Sequence, residues 1–262
     1  GATPVAVPLM EDNQFRAPAE IVRERITPRT RLMVLCNPHN PTGRCLRLGE
    51  LQEIAALALE FDLRILMDEA YEHFAYEGAS FISMASLPGM ADRTITARTV
   101  SKIYNMSGWR IGWVIANPEV INRMISIHTH AVSCPSTAAQ AGAEAAIAAG
   151  VGEGDLPIRK IVENYEVQRN AMVAGLQNIS GVTCFRPEGA FFVFPGIRRF
   201  GMSSIEMSRF LLSEARVATI PGSAFGDCGE GHVRLVFKTG VPEIERGLTR
   251  IAQALSSLKV QE

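Results

Sequence analysis

The sequence predicts an α/β fold built on a sheet with crossover helices, followed by a smaller C-terminal unit. Two observations carry this. From Arg31 to about Ile115, short β-prone apolar runs alternate with longer helical patterns. A long helical stretch, Ile158 to Ile179, then leads into a segment where short strands and helices mix.

In chain order, Leu32 to Cys36 reads as the first strand. Leu48, Leu51, Ile54, Ala55, Ala58 and Leu59 recur at helical spacing, so Leu48 to Phe61 should be an amphipathic helix covering the sheet. Leu63 to Met67, Thr94 to Val100 and Ile111 to Ile115 are further strands. Asn117-Pro118-Glu119 supplies an N-cap, a proline at the first helical position and an acid in the first turn, so a helix begins there. An Ala-rich helix follows Ser136. The glycines of Gly150-Val-Gly152-Glu-Gly154 follow a helix rather than a strand, which makes them a linker rather than a dinucleotide loop. Domain boundaries are therefore expected at 1–155 and 156–262. The C-terminal unit should hold a strand at Ala190 to Phe194, a helix opened by the capping box Ser203-x-x-Glu206, a strand at Val233 to Phe237, and a final helix. That helix should present Ile244, Leu248, Ile251, Leu255 and Leu258 on one face.

Composition excludes several functions. The formal net charge is -1 over 262 residues and the basic residues are scattered, so no nucleic-acid partner is expected. The five cysteines are an odd number with wide spacing and no C-x-x-C pair, which reads as reduced thiols in a cytoplasm. His73, His128, His130 and His232 lack metal-ligand spacing, His39 reads as a variable position of the loop that holds Asn40, and no metal is expected. No secretory leader opens the chain and no apolar run is long enough to span a bilayer, so no membrane role is expected.

Ligands of an open α/β sheet bind beyond the carboxyl ends of its strands, and three polar clusters fall at such ends. They are Asn37-Pro-His-Asn40-Pro41-Thr42-Gly43, Asp68-Glu69-Ala-Tyr71, and Ser101-Lys102. Lys102 lies just past an apolar strand, beside hydroxyls, with Arg110 eight positions on. That spacing suits a Schiff-base lysine with an anion held beside it, and so points to a pyridoxal phosphate enzyme. The run Leu63 to Glu69 also fits the Walker B pattern, but the chain contains no Gly-Lys dipeptide and hence no phosphate-cradling P-loop.

Counting Ser101-Lys102 together with Gly108-Trp-Arg-Ile-Gly-Trp113 as one segment, and adding Pro187-Glu-Gly-Ala-Phe-Phe, Pro221-Gly-Ser-Ala-Phe-Gly and Val233-Arg234-Leu, the chain holds six motifs in one order. In that order they resemble the fold type I, pyridoxal-phosphate-dependent aminotransferases of the aspartate aminotransferase family (class I/II). The resemblance implies a three-layer α/β/α large domain and a smaller α+β C-terminal domain. It implies transamination between an amino acid and a 2-oxo acid through pyridoxamine phosphate, in a homodimer. Carried over residue by residue, Lys102 forms the internal aldimine and is the general base at Cα. Asp68 keeps the pyridinium nitrogen protonated, and Asn40 and Tyr71 bond the cofactor's phenolic oxygen. Arg110, Ser101 and Thr99 hold the phosphate, although the family often has serine at the position of Thr99. Arg234 binds the substrate α-carboxylate, with Asn40 beside it in the substrate site. The Phe191-Phe192 pair reads as core rather than as a stacking platform.

By the same resemblance, Gly1 to Arg16 matches a segment well inside the family's large domain. The family's N-terminal arm, a phosphate-binding loop and the aromatic residue stacked on the cofactor ring have no counterpart in the sequence. A β-eliminating lyase on the same constellation, and a fragment without independent activity, are open alternatives.

Overall fold

The computed structural model describes residues 1–149 and 156–261. The expected glycine linker at Gly150 to Gly154 lies outside the described residues. The described chain divides into two compact units, the first comprising Gly1–Val7, Ala17–His39 and Cys45–Val162, the second Pro8–Arg16, Asn40–Arg44 and Glu163–Glu262.

The first unit is a four-stranded sheet in the order β1 (Leu32–Cys36), β2 (Arg64–Asp68), β3 (Thr94–Thr99), β4 (Gly112–Ile115), with helices α1 (Ala19–Arg25), α2 (Leu48–Glu60), α3 (Pro118–Val132) and α4 (Thr137–Ala149). β1, β2 and β3 run parallel, with Cys36 opposite Asp68 and Asp68 opposite Ala97. β4 returns antiparallel, with Gly112 opposite Thr99. A Cβ at Gly112 would stand 2.7 Å from the Arg98 carbonyl oxygen, so only glycine lets β4 approach β3 here.

Helix α2 packs Leu51, Ile54, Ala55 and Ala58 against Leu63, Ile65 and Met67, with Met84, Leu87 and Met90 closing the cluster. The predicted face is thus buried at its centre, while Leu48 and Leu59 near its ends are exposed. A second cluster joins Val100 and Ile111 to Ala139 and Ala143 of α4. Asn117 caps α3 as expected, accepting the Glu119 amide at 2.9 Å. Yet α3 buries none of its residues, and Ile127 is 71% exposed.

The second unit is a three-stranded antiparallel sheet ordered β5 (Phe192–Val193), β7 (Val233–Val236), β6 (Ile220–Pro221). Its helices are α6 (Ser204–Glu214), α7 (Val241–Leu255) and α5 (Leu156–Gln177) from Glu163 onward. β5 is shorter than the run Ala190 to Phe194 predicts. Ala190 takes a left-handed φ of 56°, which breaks the extended backbone, and Pro195 has no N–H to continue the ladder. The capping box at Ser203 forms as predicted, with Glu206 Oε2 accepting the Ser203 amide at 2.9 Å. Helix α7 buries Ile244, Leu248, Ile251 and Leu255, but Leu258 falls in the turn beyond it, its amide bonded to the Leu255 carbonyl.

Candidate active site

The parallel register of the first unit sets the carboxyl ends of β2 and β3 side by side, with the start of β4 next to β3. Asp68 ends β2, Thr99 ends β3, and Ser101 and Lys102 follow in the turn. Asp68 is exposed and its Oδ1 accepts the Ala70 amide at 3.0 Å, which bends the chain toward Tyr71. Tyr71 is buried, and Lys102 Nζ stands 5.5 Å from its ring centroid. Thr99 Oγ1 donates to the Ile111 carbonyl at 2.9 Å, accepts the Ser101 amide at 3.0 Å and lies 2.8 Å from Ser101 Oγ. This hydroxyl orders the bend that presents Lys102. Arg110 is exposed in a left-handed conformation after the turn Ser107–Trp109, and its Nη1 donates to the Ser107 carbonyl at 2.9 Å. Six of the predicted residues therefore gather around the ends of three adjacent strands: a carboxylate, a phenol, two hydroxyls, an ammonium and a guanidinium.

Asn40 and Arg234 belong to the second unit. Arg234 Nη1 donates to Asn40 Oδ1 at 2.7 Å. The Arg234 guanidinium lies 4.6 Å from the Phe192 ring centroid and 4.9 Å from that of Phe225. Two rings and a carbonyl oxygen fix its plane, which is how an arginine is prepared for bidentate binding of a carboxylate. The loop holding Asn40 is tied down by Gly43, whose φ is 72° and whose carbonyl accepts the amides of Glu188 at 2.8 Å and Gly189 at 2.7 Å. A Cβ there would stand 2.5 Å from Pro187 Cβ. Two of the sequence motifs are thus one packed structure.

The sequence reading missed three features. Phe192 is core, as expected, but it also forms a platform for Arg234, joined by Phe225 from another motif. Asn37, fully buried, accepts the Leu46 amide at 2.9 Å and so is scaffold rather than ligand contact. Behind the Asp68 turn, Glu69 is 0% exposed, and its Oε2 accepts from Arg98 Nη2 at 2.8 Å and Nε at 3.0 Å. Ser83 Oγ donates to its other oxygen at 2.6 Å. Arg98 Nη1 also reaches Glu72 Oε2 at 2.9 Å. Burial pushes the Glu72 carboxyl up to about 7; Arg98 opposes the shift and Glu69 adds to it. An available signal was strand alternation, which sets Arg98 on the same face as the buried Thr94 and Thr96 and so demands a buried acid nearby.

The chain is 38% identical over 260 residues to aromatic-amino-acid aminotransferase 2 of Thermococcus litoralis, and 38% identical over 263 residues to an aspartate aminotransferase of Pyrococcus abyssi. Each alignment takes in 99% of this chain and 66% of the relative, so the chain spans about two thirds of the length of the curated relatives it matches. Among solved structures, the aromatic aminotransferase of Pyrococcus horikoshii superposes with a TM-score of 0.93 at 38% identity, covering 98% of this chain and 68% of that one. An aspartate aminotransferase of Thermus thermophilus superposes at 0.88 with 33% identity, covering 96% and 64%. The family model for aminotransferase class I and II matches residues 1–251. With the strand-end constellation and these relatives, that match establishes that the chain belongs to the class I and II aminotransferase family.

Proposed function

We propose that this protein is a pyridoxal-phosphate-dependent aminotransferase, moving an amino group between an amino acid and a 2-oxo acid. The observation that carries the reading is Lys102, held beside the Tyr71 ring just after the Thr99-Ser101 hydroxyls at the end of β3, whose parallel neighbour β2 ends at Asp68. The donor set fits the cofactor: two hydroxyls and a guanidinium suit a phosphate, a carboxylate suits a pyridinium nitrogen, and an amine suits an aldehyde.

On this reading the bound cofactor supplies an electron sink for the pair left when substrate Cα loses its proton. Arg110, Ser101 and Thr99 would hold the phosphate. Asp68 would keep a proton on the ring nitrogen, since an adjacent negative charge favours the charged form. Tyr71 and Asn40 would bond the phenolic oxygen. Lys102 would attach covalently at rest and, once displaced, carry the Cα proton as general base. Arg234, oriented by Phe192, Phe225 and Asn40, would take the α-carboxylate, with Asn40 beside it. The reading includes a homodimer, drawn from the family resemblance, and a cytoplasmic setting, drawn from the odd, widely spaced cysteines. Among the described residues no helix is long and apolar enough to cross a membrane.

The test is amino-group exchange. Cofactor-loaded protein given a 15N-labelled amino acid and a 2-oxo acid acceptor should yield the labelled second amino acid. Loaded protein that releases ammonia and moves no label to the acceptor would refute the reading and favour a lyase.

A further inference from the structure

We propose that Arg98 is a positioning residue, fixing the turn that carries Asp68 and Tyr71 by gripping Glu69 and Glu72 on either side of Tyr71. The inference rests on the function proposed above only in assigning Asp68 and Tyr71 to the cofactor.

Tyr71 is enclosed by the grip. Arg98 sends Nε and Nη2 to Glu69 and Nη1 to Glu72, so one guanidinium joins two residues three apart in the chain. The turn between them is closed by the Glu72 amide on the Glu69 carbonyl at 3.1 Å and the Phe74 amide on the Tyr71 carbonyl at 2.8 Å. Its front end is pinned by the Glu69 amide on the Ala97 carbonyl at 2.9 Å, next to Arg98 itself. The side chain of Glu69 is 0% exposed and that of Arg98 is 25% exposed, so the grip works away from bulk water, where a charged hydrogen bond is strong and its loss is felt. Ser83 holds the remaining Glu69 oxygen, which leaves that carboxylate one orientation. Tyr71 and Asp68 therefore cannot shift without breaking bonds to a residue that points from the neighbouring strand. The guanidinium fork is what the geometry requires, because a lysine ammonium is a point charge that cannot span both carboxylates in this pattern.

The experiment compares full-length wild-type protein with Arg98→Lys and Arg98→Gln by backbone hydrogen exchange without cofactor, then by titration with pyridoxal phosphate. Loss of a charged hydrogen bond should speed exchange at the Glu72 and Phe74 amides by about tenfold in both variants, while amides of α2 from Leu51 to Ala58 stay as in wild type. Cofactor should then bind about tenfold more weakly, again in both, and the pH at which its visible absorption band changes should move. A role for charge alone would be rescued by Arg98→Lys, and wild-type exchange and wild-type cofactor affinity in that variant would overturn the proposal. Acceleration spread equally through α2 would overturn it too, as a general loss of stability. Should Arg98→Gln fail to fold, Arg98→Lys decides the matter. Failure of wild-type protein to bind the cofactor would sink the proposed function, while the exchange rates would still judge Arg98.

Discussion

Glu72→Gln should make the protein more stable at alkaline pH, although it removes one half of an ion pair. A single guanidinium, Arg98, faces two carboxylates, and Glu69 takes two of its three contacts. The Glu72 side chain is 15% exposed, and His73 Nε2 stands 3.8 Å from its Oε1. Burial raises its carboxyl from 4.5 to about 7, with Arg98 offsetting part of the shift and Glu69 adding to it. Because the folded pKa lies above the unfolded one, the folded state binds this proton more tightly. The contribution is fully present below pH 4.5 and is lost as the pH rises through about 7. A shift of that size corresponds to about 3 kcal/mol. Glutamine keeps a neutral oxygen for Arg98 Nη1 and carries no charge to desolvate. Urea unfolding at pH 5 and pH 9, followed by Trp109 and Trp113 fluorescence, reads the effect, since both tryptophans lie in the first unit. The advantage of the glutamine variant over wild type should grow by up to about 3 kcal/mol between the two pH values. An advantage that does not change with pH would refute the reasoning.

Leu51→Ala removes a fully buried side chain from the α2 cluster and should cost about 2 to 5 kcal/mol in urea unfolding. Gly43→Ala combines a φ of 72° with a Cβ 2.5 Å from Pro187 Cβ, so it should lower stability by more than about 1 kcal/mol. Calorimetry would show this as a lower melting temperature. Arg234→Lys loses the planar fork that Phe192 and Phe225 orient, and should raise KM for the amino acid by about tenfold or more with a smaller change in kcat. Steady-state kinetics on the loaded protein checks it.

The sheet and its helices were legible in the sequence because local signals agreed with burial. Leu51, Ile54, Ala55 and Ala58 recur at helical spacing and all face the core. Asn117 and Ser203 announce their helices through side-chain chemistry that acts within three residues. Where the outcome depends on distant residues the sequence was silent. Leu258 continues the apolar spacing of α7 but follows its last turn, and the strand expected at Ala190 stops at a left-handed residue set by the turn before it. The start of α3 was legible in Asn117-Pro118-Glu119, but nothing in that cap tells whether the helix is covered, and it buries none of its residues. Site residues were legible as types at strand ends. The Arg98 grip was not, since a strand arginine looks the same whether solvated or paired, and its partners lie 26 to 29 positions earlier.

On the proposed function, Lys102 would be the covalent anchor of the cofactor. Full-length protein incubated with pyridoxal phosphate, reduced with borohydride and mapped by peptide mass should carry the reduced adduct on Lys102. Lys102→Ala should carry none and should show no amino-group exchange. An adduct on another lysine, or exchange that survives in Lys102→Ala, would contradict the account.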